Sequence, residues 1–439
     1  MRAARTTPHR PPKNRFPRLF APAAALLCLT LAPASLSYAA SADARPSTRV
    51  APEPEGGPVQ TWRADLSRVD ADDAGVRHSG GALRTAAEAA GAPAEASARM
   101  PGRHGTQVLA PHPLDRPADR FRAEPDAHVP EGARIAVDVR GRSDGGRWTE
   151  WREAGPDEAG AAVLPRAVTT VQVRLVLWDA TGELAVRGLR LTADTAVRAQ
   201  GEEAGADAAA FTARVFATRE GLVGHTTANG HVIRPDDHFV ALPSRRGLSP
   251  RGSSDYSVRV CGPARCETAP VWDVGPWNTR DDYWNPSSVR ESYRDLPRGL
   301  PQAQAAYQNG HNGGLDGFGR RVLNPAGIDL ADGTFHNVGL DDNGWVTVTY
   351  LWTGSQTGST FSTRGSDVRV RQQPTTASAV VDSLAGPTQV RVECQVRGGT
   401  ATHGGRTDDA WAYLPDHGGY VPTVFIDVPE GRLPGVPTC

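Results

Sequence analysis

The chain has 439 residues, and its 48 Lys and Arg side chains nearly balance 49 Asp and Glu, giving a formal net charge of −1 at pH 7. A balanced charge provides no overall field to attract nucleic acid or an anionic membrane surface, so neither is an expected partner. The length exceeds what one ordinary hydrophobic core organises, and we expect roughly two to four domains.

Residues 1–39 have the pattern of a secretory signal peptide. A long basic region precedes an apolar run at 20–31, and a small-x-small cleavage site follows at 37–39. The apolar run is short and interrupted by proline, and no later segment approaches the length of a membrane-spanning helix. We therefore predict a secreted protein without integral membrane association, in which the polar, proline-rich residues 40–58 form a disordered leader.

Residues 59–195 are predicted to form a β-sandwich of the jelly-roll type. Three segments alternate apolar with polar side chains, as half-buried antiparallel strands do: 133–139, 170–177 and 184–191. Trp148 and Trp151 lie on one side of a further strand, where the alternation favours core positions for both and sugar binding is the alternative. A linker rich in Ala, Glu and Gly follows at 196–210.

Residues 211–352 are predicted to form a small β-barrel, because short strands separated by irregular loops are typical of that architecture. The predicted strands lie at 213–217, 238–242, 257–260, 269–272 and 345–351. The tripeptide Asp342-Asn-Gly344 directly before the last strand predicts a hairpin turn.

Two apolar runs of this region each lead to an aspartate. Asp273 follows the run 271–272 and precedes a Gly-Pro pair, and Asp329 follows the run 326–328. A carboxylate at a strand end beside a tight turn can be held rigidly and still meet solvent, as a general acid or base must. The alternative is that both aspartates only cap turns, which Asp does often.

A long segment between these aspartates is rich in Trp, Tyr, Asn and Gly. Aromatic side chains on such a loop either anchor it to the barrel or stack on sugar rings. On the second interpretation, four of them are candidate ligand-binding residues: Trp277, Tyr283, Trp284 and Tyr307.

Residues 353–365, rich in Gly, Ser and Thr, are predicted to be a linker, and residues 366–439 a small all-β module. Its predicted strands lie at 368–370, 390–392 and 424–426. A module of this size needs a covalent or metal staple to be stable.

Four cysteines remain once the predicted signal peptide is removed: Cys261, Cys266, Cys394 and Cys439. An even number in an oxidising compartment indicates disulfides, and four cysteines allow three pairings. Proximity favours the first with the second, across a small hairpin loop, and the third with the last. A zinc site is the alternative, but Cys-x4-Cys without a nearby His pair is a weak zinc signature, so no metal or cofactor is predicted.

Three fragments of the central region together resemble the RlpA-like double-psi β-barrel, whose pattern runs T-A-x-G, D-R-G-P and I-D-L-S. They are Thr226-Thr-Ala-Asn-Gly-His231, Asp273-Val-Gly-Pro276 and Ile328-Asp-Leu330. Val274 stands in place of the family arginine and Ala331 in place of the serine. Members of the family include lytic transglycosylases of peptidoglycan, and related barrels occur in expansins and family-45 glycosidases. The resemblance implies that Asp273 faces the cleft as a general acid or base, with Asp329 nearby as its partner or as a structural cap.

The last region resembles a bacterial SH3 domain, whose layout is V-R-x-x-P, then W, then G-Y-V. The matching residues are Asp367-Val-Arg-Val-Arg371 followed by Gln-Gln-Pro-Thr-Thr376, then Val390-Arg-Val-Glu-Cys394, Trp411-Ala-Tyr413 and Gly419-Tyr-Val-Pro422. Such modules commonly hold extracellular enzymes to the cell wall, and the sandwich loosely resembles accessory domains of secreted wall hydrolases. The resemblance implies that Trp411, Tyr413 and Tyr420 line a binding groove; the alternative is that Trp411 fills the small core.

The sequence therefore predicts a secreted, cell-wall-associated protein that binds peptidoglycan or a related glycan through the barrel and the SH3-like module. One alternative is a lytic transglycosylase or glycosidase with Asp273 as general acid or base. Another is a secreted protein-binding or protease-inhibitor module. The residues leave open whether the barrel cleaves its ligand, which glycan is bound and whether the chain forms oligomers.

Overall fold

The structure, a computed structural model, describes residues 59–86, 103–144, 146–196, 210–354, 359–428 and 432–439. Strands make up 47% and helices 8%, which confirms a mainly β protein. Three predicted segments lie outside the described residues. They are the signal peptide (1–39), the leader (40–58) and residues 197–209 of the linker predicted at 196–210.

The N-terminal strands form one nine-stranded antiparallel sheet around an apolar core. They are β1 (Gln60–Arg63), β2 (Val76–Ser79), β3 (Ala82–Thr85), β4 (Arg103–Val108), β5 (His112–His128), β6 (Arg134–Arg142), β7 (Arg152–Glu153), β8 (Ala162–Asp179) and β9 (Ala185–Asp194). Their order is β2-β3-β9-β5-β8-β6-β7, with β1 paired to β9 and β4 to β8. Hydrogen bonds thus join all of these strands into one sheet, and the jelly-roll topology stays a prediction.

Strands β6 and β8 are buried on both faces, although their alternation predicted strands with one solvated face. Val139 of β6 packs into the core of the sheet, while its neighbour Arg140, on the other face, is also buried. The Arg140 guanidinium lies 4.5 Å from the rings of both Trp148 and Trp151, and that of Arg174 on β8 lies 4.3 Å from the Trp151 ring. The polar face is covered because Trp151 also belongs to the core cluster of the central barrel.

The central region is a closed six-stranded barrel, which confirms the predicted barrel. Its strands are β10 (Phe211–Arg219), β11 (Val240–Leu242), β12 (Ser257–Cys261), β13 (Cys266–Val274), β14 (Ala326–Leu330) and β15 (Gly344–Tyr350). Pairing runs β10-β15-β12-β13-β11-β14 and returns to β10, with β10–β14 and β11–β13 parallel. Val215, Val240, Val258, Ile328 and Val348 belong to its buried core cluster. The double-psi connectivity stays a prediction.

Two short α-helices accompany the barrel. Helix α1 (Gln302–Asn309) lies in the insertion between Asp273 and Asp329, and its C-terminus is closed by Gly310 at φ +69°, a left-handed conformation that favours glycine. Helix α2 (Asp332–Asn337) follows β14 and carries an acidic residue in its first turn, where the helix dipole favours negative charge.

Glu150 joins the N-terminal sheet to the insertion and to the end of the barrel. Its Oε1 accepts hydrogen bonds from the indole N–H groups of Trp284 (2.6 Å) and Trp352 (2.8 Å). Its Oε2 accepts a hydrogen bond from the side-chain amide of Asn285 (2.7 Å). Because Glu150 is itself buried, these bonds satisfy a carboxylate that would otherwise be costly to remove from water.

The C-terminal strands are β16 (Ser359–Ser362), β17 (Val368–Arg371), β18 (Val380–Leu384), β19 (Gln389–Val392), β20 (Cys394–His403), β21 (Arg406–Leu414) and β22 (Gly419–Pro422). Strand β16 lies inside the predicted 353–365 linker and pairs with β19, so that part of the linker prediction is wrong. The predicted strand at 424–426 is also wrong, since a 3-10 helix spans Thr423–Phe425. The N–H of Ile426 donates to the carbonyl of Thr423 at 2.9 Å, a bond within the turn.

Both predicted disulfides are present, Cys261–Cys266 and Cys394–Cys439. The barrel also meets the C-terminal strands edge to edge, where Thr268 of β13 pairs with Leu384 of β18. None of the described helices has the length and apolar character needed to cross a membrane.

Candidate functional site

Asp273 and Asp329 flank a single residue of the barrel wall. Ala241 of β11 pairs with Asp273 of β13 on one side and with Asp329 of β14 on the other. Residues paired directly across strands project from the same face of the sheet. Since neighbouring strands lie about 4.8 Å apart, the Cα atoms of the two aspartates are about 10 Å apart. The structure thus brings together two carboxylates that are remote in sequence.

A β-bulge turns Asp273 away from the barrel interior. Val240 pairs with Val271, but the next residue of β11, Ala241, pairs with Asp273, so the register passes over Trp272. Val271 belongs to the core cluster, and simple alternation would direct Asp273 to the core as well. The extra residue reverses that direction, as bulges do where they re-aim a side chain.

The loop of the first fragment holds the Asp273 carboxylate. Oδ1 of Asp273 accepts hydrogen bonds from the backbone N–H of Ala228 and of Val274, both at 2.8 Å. The loop is itself closed by a bond from the N–H of Thr227 to the carbonyl of His231 (2.8 Å). The fragments 226–231 and 273–276 therefore meet at this carboxylate.

The Asp329 carboxylate meets the same turn from the other side. Thr218 of β10, its register neighbour, donates its hydroxyl to Oδ1 of Asp329. A Cβ placed on Gly275 would lie 3.4 Å from Oδ2 of Asp329, so the Gly-Pro turn passes directly beside this carboxylate. All three fragments that suggested the family resemblance thus converge around one acidic pair.

Both carboxylates are largely covered, with Asp273 9% and Asp329 6% exposed. Carboxylates in such positions are fixed acceptors for hydroxyl or amide donors of a ligand, and can serve as acid or base if the ligand reaches them. Nothing in the sequence pattern selects Ala241, Thr218 or the Ala228 N–H, because their places depend on strand register and loop closure.

Tyr283 and Trp284 are not ligand-binding residues, because both side chains are fully buried. The Tyr283 hydroxyl donates to the carbonyl of Gly327 at 2.9 Å and accepts from the Tyr350 hydroxyl at 2.6 Å. Trp284 is bound to Glu150. These contacts agree with the first of the two interpretations of the aromatic residues, in which they anchor the insertion to the barrel.

Trp411 is also fully buried, and its indole N–H donates to the carbonyl of Gly399 at 2.7 Å. It fills the C-terminal core, so the implied groove position is wrong for this residue. Tyr420 is half-buried and lies 5.0 Å from the Tyr413 ring. Tyr307 on α1 is an exposed side chain. Trp277 is half-buried directly after the Gly-Pro turn.

A groove of about 620 Å³ lies between the N-terminal sheet and the loop 226–231. Its walls are Asp70, Ala71, Asp72, His231, Arg251 and Gly252. Gly230, at φ +89°, permits the close approach on this side, since a Cβ there would lie 2.3 Å from the Cβ of Ala74. The His231 ring stands 4.7 Å from the Trp272 ring, and its Nε2 is 2.6 Å from Oδ2 of Asp237.

Acidic side chains dominate one end of this groove. Ligand atoms of Asp70, Asp72 and Asp73 lie within 4.8 Å of one another, a spacing that could hold a cation but that exposed acidic groups often show without one. Burial, and then the neighbouring Asp70, raises the pKa of Asp72 to about 7. Burial also raises the pKa of Asp73.

Residues 211–349 match a family described as a domain of unknown function (DUF8814). The matched segment spans the barrel strands, the insertion and the acidic pair. No curated protein and no solved structure matches the chain.

Proposed function

We propose that the protein binds a glycan of the bacterial cell wall, peptidoglycan or a related polymer, on the face of the barrel that carries Asp273 and Asp329. The pairing of both aspartates with Ala241 supports this function, because it puts two fixed acceptors on one wall. Sugars present many hydroxyl donors, and ligand sites commonly use a few well-placed polar groups to orient such ligands.

The predicted secretion and wall association belong to the same proposal. Two disulfides suit an oxidising, extracellular compartment. In the SH3-like module, Tyr413 and Tyr420 bring two partly exposed rings together and are the aromatic pair available to a wall polymer.

The proposal is tested by incubating purified residues 40–439 with insoluble peptidoglycan sacculi and measuring the fraction that pellets. We expect wild-type protein to pellet and Asp273→Asn/Asp329→Asn to pellet with about 10-fold lower affinity, since amides replace both carboxylates. Asp126→Asn, an equivalent change at an exposed position of β5, is the matched control and should bind as wild type. Wild-type protein that stays in the supernatant at every load would exclude glycan binding.

Lytic cleavage is the second candidate function, with Asp273 as general acid or base. It is favoured by the two backbone N–H groups that fix this carboxylate at the edge of solvent, since acid–base catalysis needs a positioned group. A single carboxylate is enough when a hydroxyl of the sugar is the internal nucleophile.

The same incubation distinguishes cleavage from binding when soluble muropeptides are also measured. If the barrel cleaves, Asp273→Asn loses muropeptide release by about 100-fold or more, as expected for removal of a general acid or base. Its thermal unfolding midpoint should stay near that of wild type. Equal release by wild type and Asp273→Asn would remove the catalytic assignment, and no release by wild type would leave the barrel as a binding module.

A further inference from the structure

The insertion ends in a tight hairpin that presents Phe318 to solvent. Leu315 and Arg321 form an isolated bridge at its base, and the N–H of Asp316 donates to the carbonyl of Arg320 at 2.8 Å. The Asp316 side chain is 1% exposed, and its Oδ1 accepts hydrogen bonds from the N–H groups of Phe318 (2.9 Å) and Arg320 (2.8 Å). A buried carboxylate therefore holds the turn in one shape while the Phe318 ring stays 48% exposed.

Arg320 connects this ring to Trp277. Its guanidinium lies 5.0 Å from the centre of the Phe318 ring and 6.0 Å from that of Trp277, and Nη2 donates to the Trp277 carbonyl at 2.7 Å. Oδ2 of Asp316 accepts from Nε at 2.6 Å, which fixes the plane of the guanidinium. We call Trp277, Arg320 and Phe318 the aromatic platform.

The aromatic platform begins beside the acidic pair. Gly275 borders the Asp329 carboxylate, and Trp277 follows two residues later, so their Cα atoms are at most about 7 Å apart. Trp277 adopts φ +60°, a left-handed conformation that is unfavourable for a residue with a Cβ. Its indole N–H donates to Oδ1 of Asn324 at 2.9 Å, which holds the ring in place.

We propose that the aromatic platform is a sugar-binding subsite that extends the glycan site from Asp273 and Asp329 onto the insertion; this inference rests on the proposed function. The apolar face of a pyranose ring suits the exposed face of Phe318, in the way that aromatic rings pack against flat apolar surfaces. The half-exposed Arg320, whose guanidinium lies 5.0 Å from the centre of the Phe318 ring, supplies N–H donors for sugar hydroxyl or acyl oxygens. The ligand is thus a glycan strand long enough to span the turn 275–277 and reach Phe318.

An exposed ring on a turn whose backbone is held by a buried aspartate differs from an isolated surface hydrophobe. Leu315, at the base of the same hairpin, is also exposed, so the apolar surface extends beyond one side chain. A ring that served only the stability of the insertion would be expected to pack inward, as Tyr283 and Trp284 do.

The test is the affinity for soluble peptidoglycan glycan strands, freed of peptides by an amidase and titrated calorimetrically into the full mature chain. Phe318→Ala is expected to weaken binding about 3- to 10-fold, the range for loss of one aromatic stacking contact. Phe318→Trp should retain wild-type affinity, and Phe318→Leu, which is apolar without a ring, should lose about as much as Phe318→Ala. Val289→Ala is the matched control, an exposed apolar residue elsewhere in the insertion, and should bind as wild type.

The possible outcomes separate this inference from the proposed function. Wild-type binding that Phe318→Ala leaves unchanged overturns the subsite and keeps the glycan site. Wild-type protein that binds no strands overturns both. An equal loss in Val289→Ala, or full affinity in Phe318→Leu, would mean that stacking on Phe318 is not the interaction, and would also overturn the subsite.

Discussion

At the residue scale, the acidic pair depends on the small side chain between its members. Ala241 contributes only a methyl group to the strand position that pairs with both Asp273 and Asp329. The aspartates themselves could be selected from the sequence because each follows an apolar run at a turn. Ala241 could not, because alanine carries no chemistry and its neighbours are known only once two strands are in register.

The residue-scale prediction concerns Asp72 in the groove beside His231. Asp72→Asn is expected to stabilise the protein at pH 8 and to leave its stability unchanged at pH 4. The folded pKa of Asp72, about 7, lies above the usual 3.8, so the folded state keeps a proton that the unfolded state releases. The stability that this proton contributes is present below about pH 4 and is lost as the pH rises through 7.

Asparagine is neutral at both pH values and avoids that loss, and its amide can donate to Asp70 as the protonated acid does. Discounted for the partial exposure of Asp72, the expected gain at pH 8 is about 1 kcal/mol, read from urea unfolding. Asp126→Asn is the control. A gain of the same size at pH 4 and pH 8 would show that the effect does not come from titration of Asp72.

At the element scale, the sequence pattern predicted where strands lie but not which of their faces are buried. The sequence placed strands within β6, β8, β10, β13 and β15, because apolar and polar residues alternate there. It also implied that the arginines on β6 and β8 face solvent. Arg140 and Arg174 are instead covered by the 147–151 segment and the barrel, a tertiary contact that periodicity within one strand does not encode.

The insertion shows the same limit for aromatic residues. Trp277 and Trp284 both lie in the insertion shortly after the Gly-Pro turn, yet Trp277 is half-buried and Trp284 is fully buried against Glu150. The difference is set by a carboxylate far upstream in the chain and by the hairpin that carries Phe318. No sequence pattern predicts the bulge at Trp272 either, although the orientation of Asp273 depends on it.

At the scale of the whole molecule, Glu150 is one of the residues through which distant parts of the chain stabilise one another. Glu150→Ala leaves the indole N–H groups of Trp284 and Trp352 and the amide of Asn285 without this acceptor. Each unsatisfied buried donor costs about 1 to 3 kcal/mol. We expect a total loss of about 3 to 5 kcal/mol, near the upper end for single substitutions.

Urea unfolding monitored by tryptophan fluorescence measures this loss. Glu150→Gln keeps one acceptor oxygen and should lose less than Glu150→Ala. Glu183→Ala, at an exposed turn position before β9, removes the same side chain and should change stability by less than about 0.5 kcal/mol. A Glu150→Ala variant as stable as Glu183→Ala would mean that the three bonds are dispensable.

The edge contact between Thr268 and Leu384 constrains how the molecule can meet a surface. Asp382, also on β18, is buried and accepts hydrogen bonds from Arg259 (3.0 Å) and Thr268 (3.2 Å). The contact between the barrel and the C-terminal strands therefore includes polar side-chain bonds as well as the strand pairing. Because the C-terminal strands are paired with the barrel in this way, they cannot change position independently of the acidic pair. Under the proposed function, a polymer that binds both sites must present them at one spacing and angle, so the geometry of the polymer network would determine selectivity together with the identity of the sugars.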